Sequence, residues 1–453
     1  MLRRETANRS LVGLVATLHV LIATRPVRAA EATITPPITP SPGAQAPAEW
    51  GLKFAEAIQL ALTRNERARI ADLNVVVADA AVEKARAGFL PVLNFNGNDT
   101  QTALVATGQP HNVAAGNLVL TQPIINASAY PLYAQAKALA EAQYAQNIDD
   151  KRVLGFNAAS GFFAVLSASA VVDAATRQLE NAKANVADTQ ARAEAQLTSS
   201  NDVTRAKVDQ AGSGRELEAD KGALANAYIQ LAFLLNAPVS GPLVSPDATL
   251  AAAQAPPGPP DALVKFAVER RPDVLVDKQQ AIAAHHFAHE PLLRLVPTLN
   301  LQGTASGTSN APPTTKAWNQ ETLAAVLTWT LYDAGARYAD KHSRDAQAQI
   351  ADLNLQQLVR NVDAQVRSAV ALLLAAQAEF QVAAQARDAA RQNVDETAIL
   401  YRQGLAKAIE LVDANDSRFT AEVNYASAQY AMAEAYLNLR QAMGLDPLGT
   451  ELK

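Results

Sequence analysis

The segment TLNLQGTASGT, residues 298–308, alternates between apolar or small side chains and polar side chains. Leu299 and Leu301 fall on one face of an extended chain, whereas hydroxyl and amide side chains fall on the other. Residues 321–331 alternate in the same way, with Ala324 among the small or polar residues of the polar face and Val326 as the one exception there. Each segment is about ten residues long, which is the length of a tilted membrane-crossing strand. The pattern predicts two strands with one apolar and one polar face.

Two structures fit this alternation. In a water-filled membrane barrel the apolar face meets lipid and the polar face meets water. In a soluble hairpin the apolar face is buried against other elements, and alternation alone leaves both interpretations open. In a barrel, the hairpin tips near 108–110 and 310–313 would face the outside of the cell. Trp318 and Trp329 would then lie at lipid–water boundaries.

The chain contains two copies of one unit, offset by about 207 residues. PVLNFNG at 91–97 matches PTLNLQG at 297–303, and AYIQL at 227–231 matches AYLNL at 435–439. Such matches recur in the same order in both halves. The predicted organisation is a signal peptide at 1–32, a flexible proline-rich lead-in at 33–50, a first repeat at 51–240, a linker at 241–260, a second repeat at 261–447 and a tail at 448–453.

Each repeat has the same predicted layout of one helical stretch, two strands, one long helix and a final helix. In the first repeat we expect strands at 92–104 and 115–125, the long helix at 127–197 and the final helix at 202–236. In the second repeat we expect strands at 298–308 and 321–331, the long helix at 334–404 and the final helix at 410–443. A helix of about 70 residues is about 105 Å long, so it must lie along neighbours in a coiled-coil-like array. The first helical stretch is interrupted in both halves, at Asn65 and at Arg271-Pro272.

The N-terminus is typical of an export signal, because Arg3 and Arg4 precede an apolar stretch at 11–23 that is too short to span a bilayer. After it we expect no run long enough for a membrane helix, so only strands could enter a membrane. Four strands cannot close a barrel, since about eight are needed, and several chains must therefore share one. A trimer supplies about twelve strands and a dimer about eight.

Composition excludes several function classes. A net charge of −5 gives no indication of a nucleic-acid partner. The chain has no cysteine, which excludes disulfides, thiolate metal sites and a lipid anchor on an N-terminal cysteine. No phosphate-binding loop or catalytic triad pattern is present, so we expect neither an enzyme nor a cofactor. His285, His286 and His289 are close enough on one predicted helix for zinc, although surface histidines are the simpler interpretation.

Three further motifs carry a resemblance to a known family: LYDAGAR at 331–337, YRQGL at 401–405 and ELVDA at 410–414. With them, the chain from 50 to 447 resembles the TolC family of outer-membrane efflux proteins. The resemblance implies a mainly α protein with a β membrane region, in which a homotrimer forms a 12-stranded barrel and a 12-helix periplasmic tunnel. It also implies a passive exit duct in the outer membrane, with a periplasmic adaptor and an inner-membrane transporter as partners. The alternative is a periplasmic coiled-coil scaffold without a barrel.

The same resemblance implies functional residues at the helical tip. Glu410 and Asp413 fall where the family has an acidic ring at the periplasmic gate; two solvated carboxylates near a helix N-terminus are the alternative. Asn201, Asp202 and Tyr401 match residues that hold the tip closed. The arginine that partners such an acid in the family is replaced here by Ala406, with Lys407 next to it. The turns that would dock the adaptor consist of Leu197, Thr198, Ser199, Ser200, Gly404, Leu405 and Ala406.

Overall fold

A computed structural model describes residues 51–103, 111–308 and 319–449 of the chain. In the first half, the helices and strands are α1 (Phe54–Arg64), α2 (Glu66–Arg86), β1 (Val92–Gln101), β2 (Asn112–Ile125), α3 (Ala129–Glu194) and α4 (Ser200–Leu235). After them come α5 (Asp247–Gln254), α6 (Pro260–Arg270), α7 (Pro272–Leu293), β3 (Thr298–Thr308), β4 (Asn319–Thr328), α8 (Ala336–Arg402) and α9 (Ala408–Ala442). The predicted fold class, mainly α with four strands, is confirmed.

The four strands form one antiparallel sheet in the order β1-β2-β3-β4. The two hairpins are joined by pairing of β2 with β3, which places Leu118 opposite Ala305 and Thr121 opposite Gln302. A bulge between Pro123 and Ile125 interrupts this ladder at its helical end. Strands β1 and β4 each pair on one side only among the described residues, so the sheet has two open edges.

The long helices lie side by side with stacked shorter ones. Helix α3 contacts α2 and α7 in the half next to the strands, and α4 and α9 in the half that leads to the tip. Helix α8 contacts α7 in the first half and α9 in the second. At 66 and 67 residues, α3 and α8 are each about 100 Å long. The helices therefore form a layer four helices wide, with α2 and α4 at one edge and α8 at the other.

Large apolar side chains are buried mainly in a belt at the middle of the long helices. The main cluster joins Ile58 of α1, Phe162 of α3, Leu231 of α4 and Leu437 of α9. A second cluster packs α9 against Leu373 of α8. Towards the tip, the buried residues of α3 and α9 are mostly small, as in a helix pair that approaches closely through alanine. We call the region of these two clusters the mid-helix belt.

The two halves of the chain share one kind of contact at the point where the first helical stretch is interrupted. Asn65, between α1 and α2, donates through Nδ2 to the carbonyl of Leu234 at 2.8 Å, near the end of α4. Arg271, between α6 and α7, donates through Nη1 to the carbonyl of Ala442 at 3.1 Å, at the end of α9. Each break residue thus satisfies a helix-terminal carbonyl that has no partner in its own helix.

Several element bounds differ from the predicted ones. The proline-rich linker 241–260 contains helix α5, which packs Leu250 and Ala253 into the mid-helix belt. Strands β1 and β4 end at Gln101 and Thr328, before the predicted 104 and 331. The final helices begin at Ser200 and Ala408, two residues before the predicted starts, because the turns into them are short.

The expectation of no apolar run long enough to cross a membrane is wrong for the long helices. By length and composition, α3 and α8 each contain an 18-residue window that is apolar enough to cross a membrane, with mean hydropathy 1.6 and 1.3. Alanine-rich sequence raises the hydropathy without large side chains. Of the residues in these windows, 44% are buried inside the protein in α3 and 17% in α8.

Candidate functional site

The register of the sheet sorts its side chains into two faces. Paired residues share a face, so Phe95, Leu118 and Ala305 lie together, as do Asn96, Asn117 and Ser306 on the opposite side. The apolar residues of one face are Leu93, Phe95, Leu118, Leu120, Leu299, Leu301, Ala305, Leu323, Ala325 and Leu327, with glycines between them and polar residues such as Asp99, Gln122 and Glu321 towards the strand ends. The alternation predicted for separate strands therefore becomes one mainly apolar face across all four.

This apolar face is not covered by the rest of the chain. Phe95 is 72% exposed, Leu323 76% and Leu327 62%. The Phe95 ring lies over the paired glycines Gly97 and Gly116, where an added Cβ would approach it to 3.4 Å and 3.3 Å. A soluble hairpin with one buried face, the other interpretation of the alternation, does not describe this uncovered sheet.

Aromatic side chains gather where the sheet meets the helices. Trp329 is 57% exposed, and its indole nitrogen donates to the carbonyl of Leu295 at 3.0 Å. Tyr332 is 85% exposed, and Phe89 packs against Tyr130 with ring centroids 4.9 Å apart. The tryptophan and tyrosine side chains, apolar in body and polar at one end, suit a lipid–water boundary. Trp318 and both predicted hairpin tips, 108–110 and 310–313, lie outside the described residues.

The turn between α3 and α4 is fixed by a capping box. The Ser199 hydroxyl accepts from the backbone nitrogen of Asp202 at 3.2 Å, and Asp202 Oδ2 accepts from the backbone nitrogen of Ser199 at 3.2 Å. Asp202 Oδ2 also accepts from the hydroxyl of Thr198 at 2.7 Å. Hydrogen bonds from Thr198 and Ser199 lower the pKa of Asp202. The carboxylate predicted to hold the tip closed is therefore engaged in its own turn, and Asn201 beside it is exposed.

The turn between α8 and α9 depends on a glycine. Gly404 has φ +74°, and the backbone nitrogen of Leu405 donates to the carbonyl of Leu400 at 2.9 Å, which closes the helix. Leu405 is 73% exposed, and its counterpart Leu197 in the other turn is 76% exposed. Each predicted docking turn thus presents one apolar side chain to solvent.

A clamp between the two long helices lies just above these turns. The guanidinium carbon of Arg192 is 4.2 Å from the centroid of the Tyr401 ring, and its Nε donates to Asp188 Oδ2 at 3.0 Å. Arg192 Nη1 also donates to the Tyr401 carbonyl at 3.4 Å. Tyr401 is buried, and this burial raises the pKa of its phenol. We call Asp188, Arg192 and Tyr401 the tip clamp.

Arg192 is a residue that the sequence reasoning missed. The resemblance directed attention to position 406, where alanine stands, and to Lys407 beside it. The structure instead places a cation on Tyr401 from α3 of the other repeat. The one signal in the sequence was the spacing of Asp188 and Arg192, four residues apart on one helix face.

The predicted acidic residues lie on the exposed side of α9. Glu410 stands in the first turn, and Asp413 follows one turn later. Neither is in an ion pair with another residue of the described ranges. One turn further, Asp416 Oδ1 accepts from Gln178 Nε2 at 2.7 Å. Partial burial raises the pKa of Asp416, and the charge of Asp413 adds to the effect.

A cavity of 320 Å³ separates the beginning of α4 from the beginning of α9. Asp202 and Arg205 line it on one side, and Ile409 and Val412 on the other. The structure thus brings Asp202 close to the helix that carries the acidic residues, and Tyr401 close to Arg192. The two sets occupy the same end of the helical layer.

The three histidines do not assemble a metal site. His285 Nε2 lies 3.0 Å from Asp352 Oδ2 on α8, and both side chains are largely exposed. Within the parts of the chain that the structure describes, no group of three or more His, Cys, Asp or Glu residues could hold a metal ion. A hydrogen bond between α7 and α8 is the contact that the structure shows for His285.

Part of the chain matches a known protein family. Residues 263–445 match the family model described as outer membrane efflux protein. This confirms the resemblance inferred from the sequence. A comparison with curated proteins by sequence gives no match.

Solved structures extend the likeness to most of the chain. The CusC structure, described in terms of transmembrane channel formation, has a TM-score of 0.76 at 18% identity, covering 86% of this chain and 92% of CusC. The outer membrane channel MtrE of Neisseria gonorrhoeae has a TM-score of 0.74 at 19% identity, covering 88% and 90%. The outer membrane protein VceC of Vibrio cholerae has 0.73 at 15% identity, covering 87% and 96%. At these identities the likeness establishes the fold.

Proposed function

We propose that the chain is a subunit of an outer-membrane exit duct that conducts substrate passively. The observation that carries this proposal is the single sheet with an uncovered apolar face, two open edges and a polar opposite face. The unpaired backbone groups of an open edge form hydrogen bonds with another strand, and an apolar face of this extent is stable in contact with lipid. Copies of the sheet that join edge to edge in a membrane barrel gain both kinds of contact.

The helical layer supports the same assembly. At one edge, α2 exposes Leu73 (58%) and Val77 (68%), and α4 exposes Phe233 (71%). At the other edge, α8 exposes Leu353 (60%) and Val382 (65%). These edges are different surfaces, so copies would join head to tail, and head-to-tail contacts close into a ring. The family resemblance sets the number of copies at three, which gives twelve strands.

The tip would serve as the gate of this duct. Closed packing is stabilised by the tip clamp, while rings of Glu410 and Asp413 would attract cations at the entrance. A periplasmic adaptor that binds the exposed Leu197 and Leu405 turns better in the open state would shift the tip towards opening. An inner-membrane transporter would supply the energy.

Single-cysteine labelling tests the membrane assignment, because the chain has no cysteine of its own. Leu323→Cys lies on the apolar face and Thr322→Cys on the polar face of the same strand. In outer-membrane vesicles, a lipid-soluble maleimide should label position 323 and a water-soluble one position 322. Equal labelling of both positions by the water-soluble reagent would support the periplasmic scaffold instead.

The acidic ring has its own test. Glu410→Gln combined with Asp413→Asn should weaken block by multivalent cations in planar-bilayer recordings, since the carboxylates that attract them are removed. Glu218→Gln, at an exposed acid on α4, is the matched control. Unchanged block in the double variant would assign both carboxylates to ordinary solvated positions.

A further inference from the structure

Two rows of side chains face each other where α2 packs against α3. Lys151 Nζ lies 2.6 Å from Asp72 Oδ1, and closer to the sheet the Tyr144 hydroxyl donates to Asp79 Oδ1 at 2.6 Å. The two contacts are seven residues apart on each helix, a spacing that keeps successive side chains on one face. In both contacts a donor on α3 meets a carboxylate on α2.

The next step of the same rows towards the sheet brings two cations together. Arg86, in the last turn of α2, follows Asp79 by seven residues, and Lys137 on α3 precedes Tyr144 by seven. Both cations are exposed, and neither side chain has an ion pair or a hydrogen bond within the part of the chain that the structure describes. Two like charges that face each other repel, and an anion bound between them removes this repulsion.

The second repeat shows how a pair of cations at this position is satisfied. Glu290 of α7 is buried, and it accepts from Arg294 Nε at 2.8 Å and from Arg344 Nη1 at 2.6 Å. Arg344 lies 207 residues after Lys137, and Glu290 lies the same distance after Glu83. Glu83, however, is exposed and is in no ion pair with the residues that the structure describes. The first repeat therefore has two cations but lacks the buried carboxylate that binds both cations in the second.

In a sheet that is inserted in a membrane, Arg86 lies at the depth of the lipid headgroups. It precedes Phe89, which packs against Tyr130, by three helical residues or about 5 Å. Gln122, on the mainly apolar face of β2, donates to the Phe89 carbonyl at 3.0 Å, so the aromatic pair lies at the helical end of that face. The headgroup layer on each side of a bilayer is about 5–8 Å thick.

Arg86 and Lys137 are also the first charged residues beyond the strands of the first repeat. Residues 87–91 and 126–136, which connect them to β1 and β2, contain no charged side chain. The carboxylate of Glu141 lies one turn further from the sheet than Lys137. A negatively charged group that approaches from the membrane side thus meets positive charge first.

We propose that Arg86 and Lys137 bind the phosphate of an anionic phospholipid in the periplasmic leaflet of the membrane. This site rests on the proposed function, because it requires the sheet to lie in a bilayer. The phosphate oxygens accept from the guanidinium and the ammonium group, in the way that the carboxylate of Glu290 accepts from two arginines. A zwitterionic headgroup carries its own cation beside the phosphate and is bound less tightly by two further cations.

Native mass spectrometry of the purified full-length protein tests the site. The protein in detergent is titrated with phosphatidylglycerol and, separately, with phosphatidylcholine, and the lipid molecules retained per chain are counted. The wild-type protein should retain one phosphatidylglycerol per chain in preference to phosphatidylcholine. Each cation near an anionic lipid contributes a factor of about five, so Arg86→Gln combined with Lys137→Gln should lower the affinity for phosphatidylglycerol about 25-fold.

The matched control is Arg64→Gln combined with Lys265→Gln. It removes two exposed cations on α1 and α6, next to the mid-helix belt and away from the sheet. Its affinity for phosphatidylglycerol should equal that of the wild-type protein. Glu83→Gln should bind the lipid at least as tightly as the wild-type protein, because the carboxylate nearest to the two cations is removed.

Three results would overturn the site. The first is equal retention of the two lipids, and the second is an unchanged affinity for phosphatidylglycerol in the Arg86/Lys137 variant. The third is equally tight binding of inorganic phosphate alone, which would identify a site for free phosphate instead of a lipid. Failure of the proposed function is a different result, since a wild-type protein that does not insert into vesicles of phosphatidylglycerol and phosphatidylcholine refutes the membrane assignment itself.

Discussion

Replacement of Arg192 by alanine should open the tip. The guanidinium on the Tyr401 ring contributes about 1 kcal/mol as a cation–π contact. Its ion pair with Asp188 lies within helix α3, so it is the same in the closed and the open tip and adds nothing to the difference between them. The 3.4 Å hydrogen bond to the Tyr401 carbonyl is long and adds little. Loss of the contact between Arg192 and Tyr401 therefore costs the closed state about 1 kcal/mol per chain.

In a trimer whose three tips open together, the cost is about 3 kcal/mol, or a factor of more than a hundred in the equilibrium. Complete reversal of a 1:99 equilibrium requires about 5.5 kcal/mol. Arg192→Ala should therefore turn a mainly closed channel into one that is open for a large fraction of the time. Single-channel recordings in planar bilayers measure this fraction directly.

Matched variants separate the clamp from a general loss of charge. Arg215→Ala removes an exposed arginine of α4 and should leave the open fraction at the wild-type value. Tyr401→Phe keeps the ring and should stay close to wild type, whereas Arg192→Lys loses the planar stack and should be intermediate. If Arg192→Ala assembles normally and its open fraction equals that of Arg215→Ala, the reasoning about the clamp is refuted.

Three further predictions concern stability. Gly444→Ala should lower the melting temperature, because Gly444 has φ +76° and an added Cβ would be 3.0 Å from Arg271 Cα, whereas Gly212→Ala should raise stability by about 1 kcal/mol in a helix with free space. Burial tends to raise the pKa of Asp273, but hydrogen bonding and the charge of Arg271 outweigh it, so the pKa is lowered. Asp273→Asn should thus cost stability at neutral pH, with the difference from wild type disappearing as the pH falls below about 4, as followed by denaturant titration. Phe162→Ala should cost about 3–5 kcal/mol in the same titration, since Phe162 is 0% exposed; a cost under 1 kcal/mol would contradict a packed belt.

The local pattern of the sequence predicts much of the fold. Strand β3 occupies the same residues as the alternating segment 298–308, and the break at Asn65 is where the helix changes. Pairing of β2 with β3 was not predictable in the same way, because the two strands belong to different repeats and their register depends on three-dimensional closure. Alternation fixes which residues share a face of one strand but not which strands are neighbours.

At the tip, too, a contact between neighbouring residues could be predicted from the sequence, whereas a contact between distant residues could not. The capping box of Ser199 and Asp202 is visible as a serine followed three residues later by an acid, although the resemblance gave Asp202 another role. The contact of Arg192 with Tyr401 joins residues 209 positions apart, as their carbonyl hydrogen bond records. No periodicity connects them, and only the packing of the two long helices brings them together.

The mid-helix belt has a consequence for how the protein is made. Beyond the belt, each chain offers mainly alanine seams and an uncovered sheet, which gain little free energy before other copies arrive. An isolated monomer should therefore unfold as one cooperative unit at the mid-helix belt, and the two arms of the chain beyond the belt should open locally. Brief trypsin treatment of such a monomer should trim the arms and leave the belt, whereas the assembled ring should resist along its whole length.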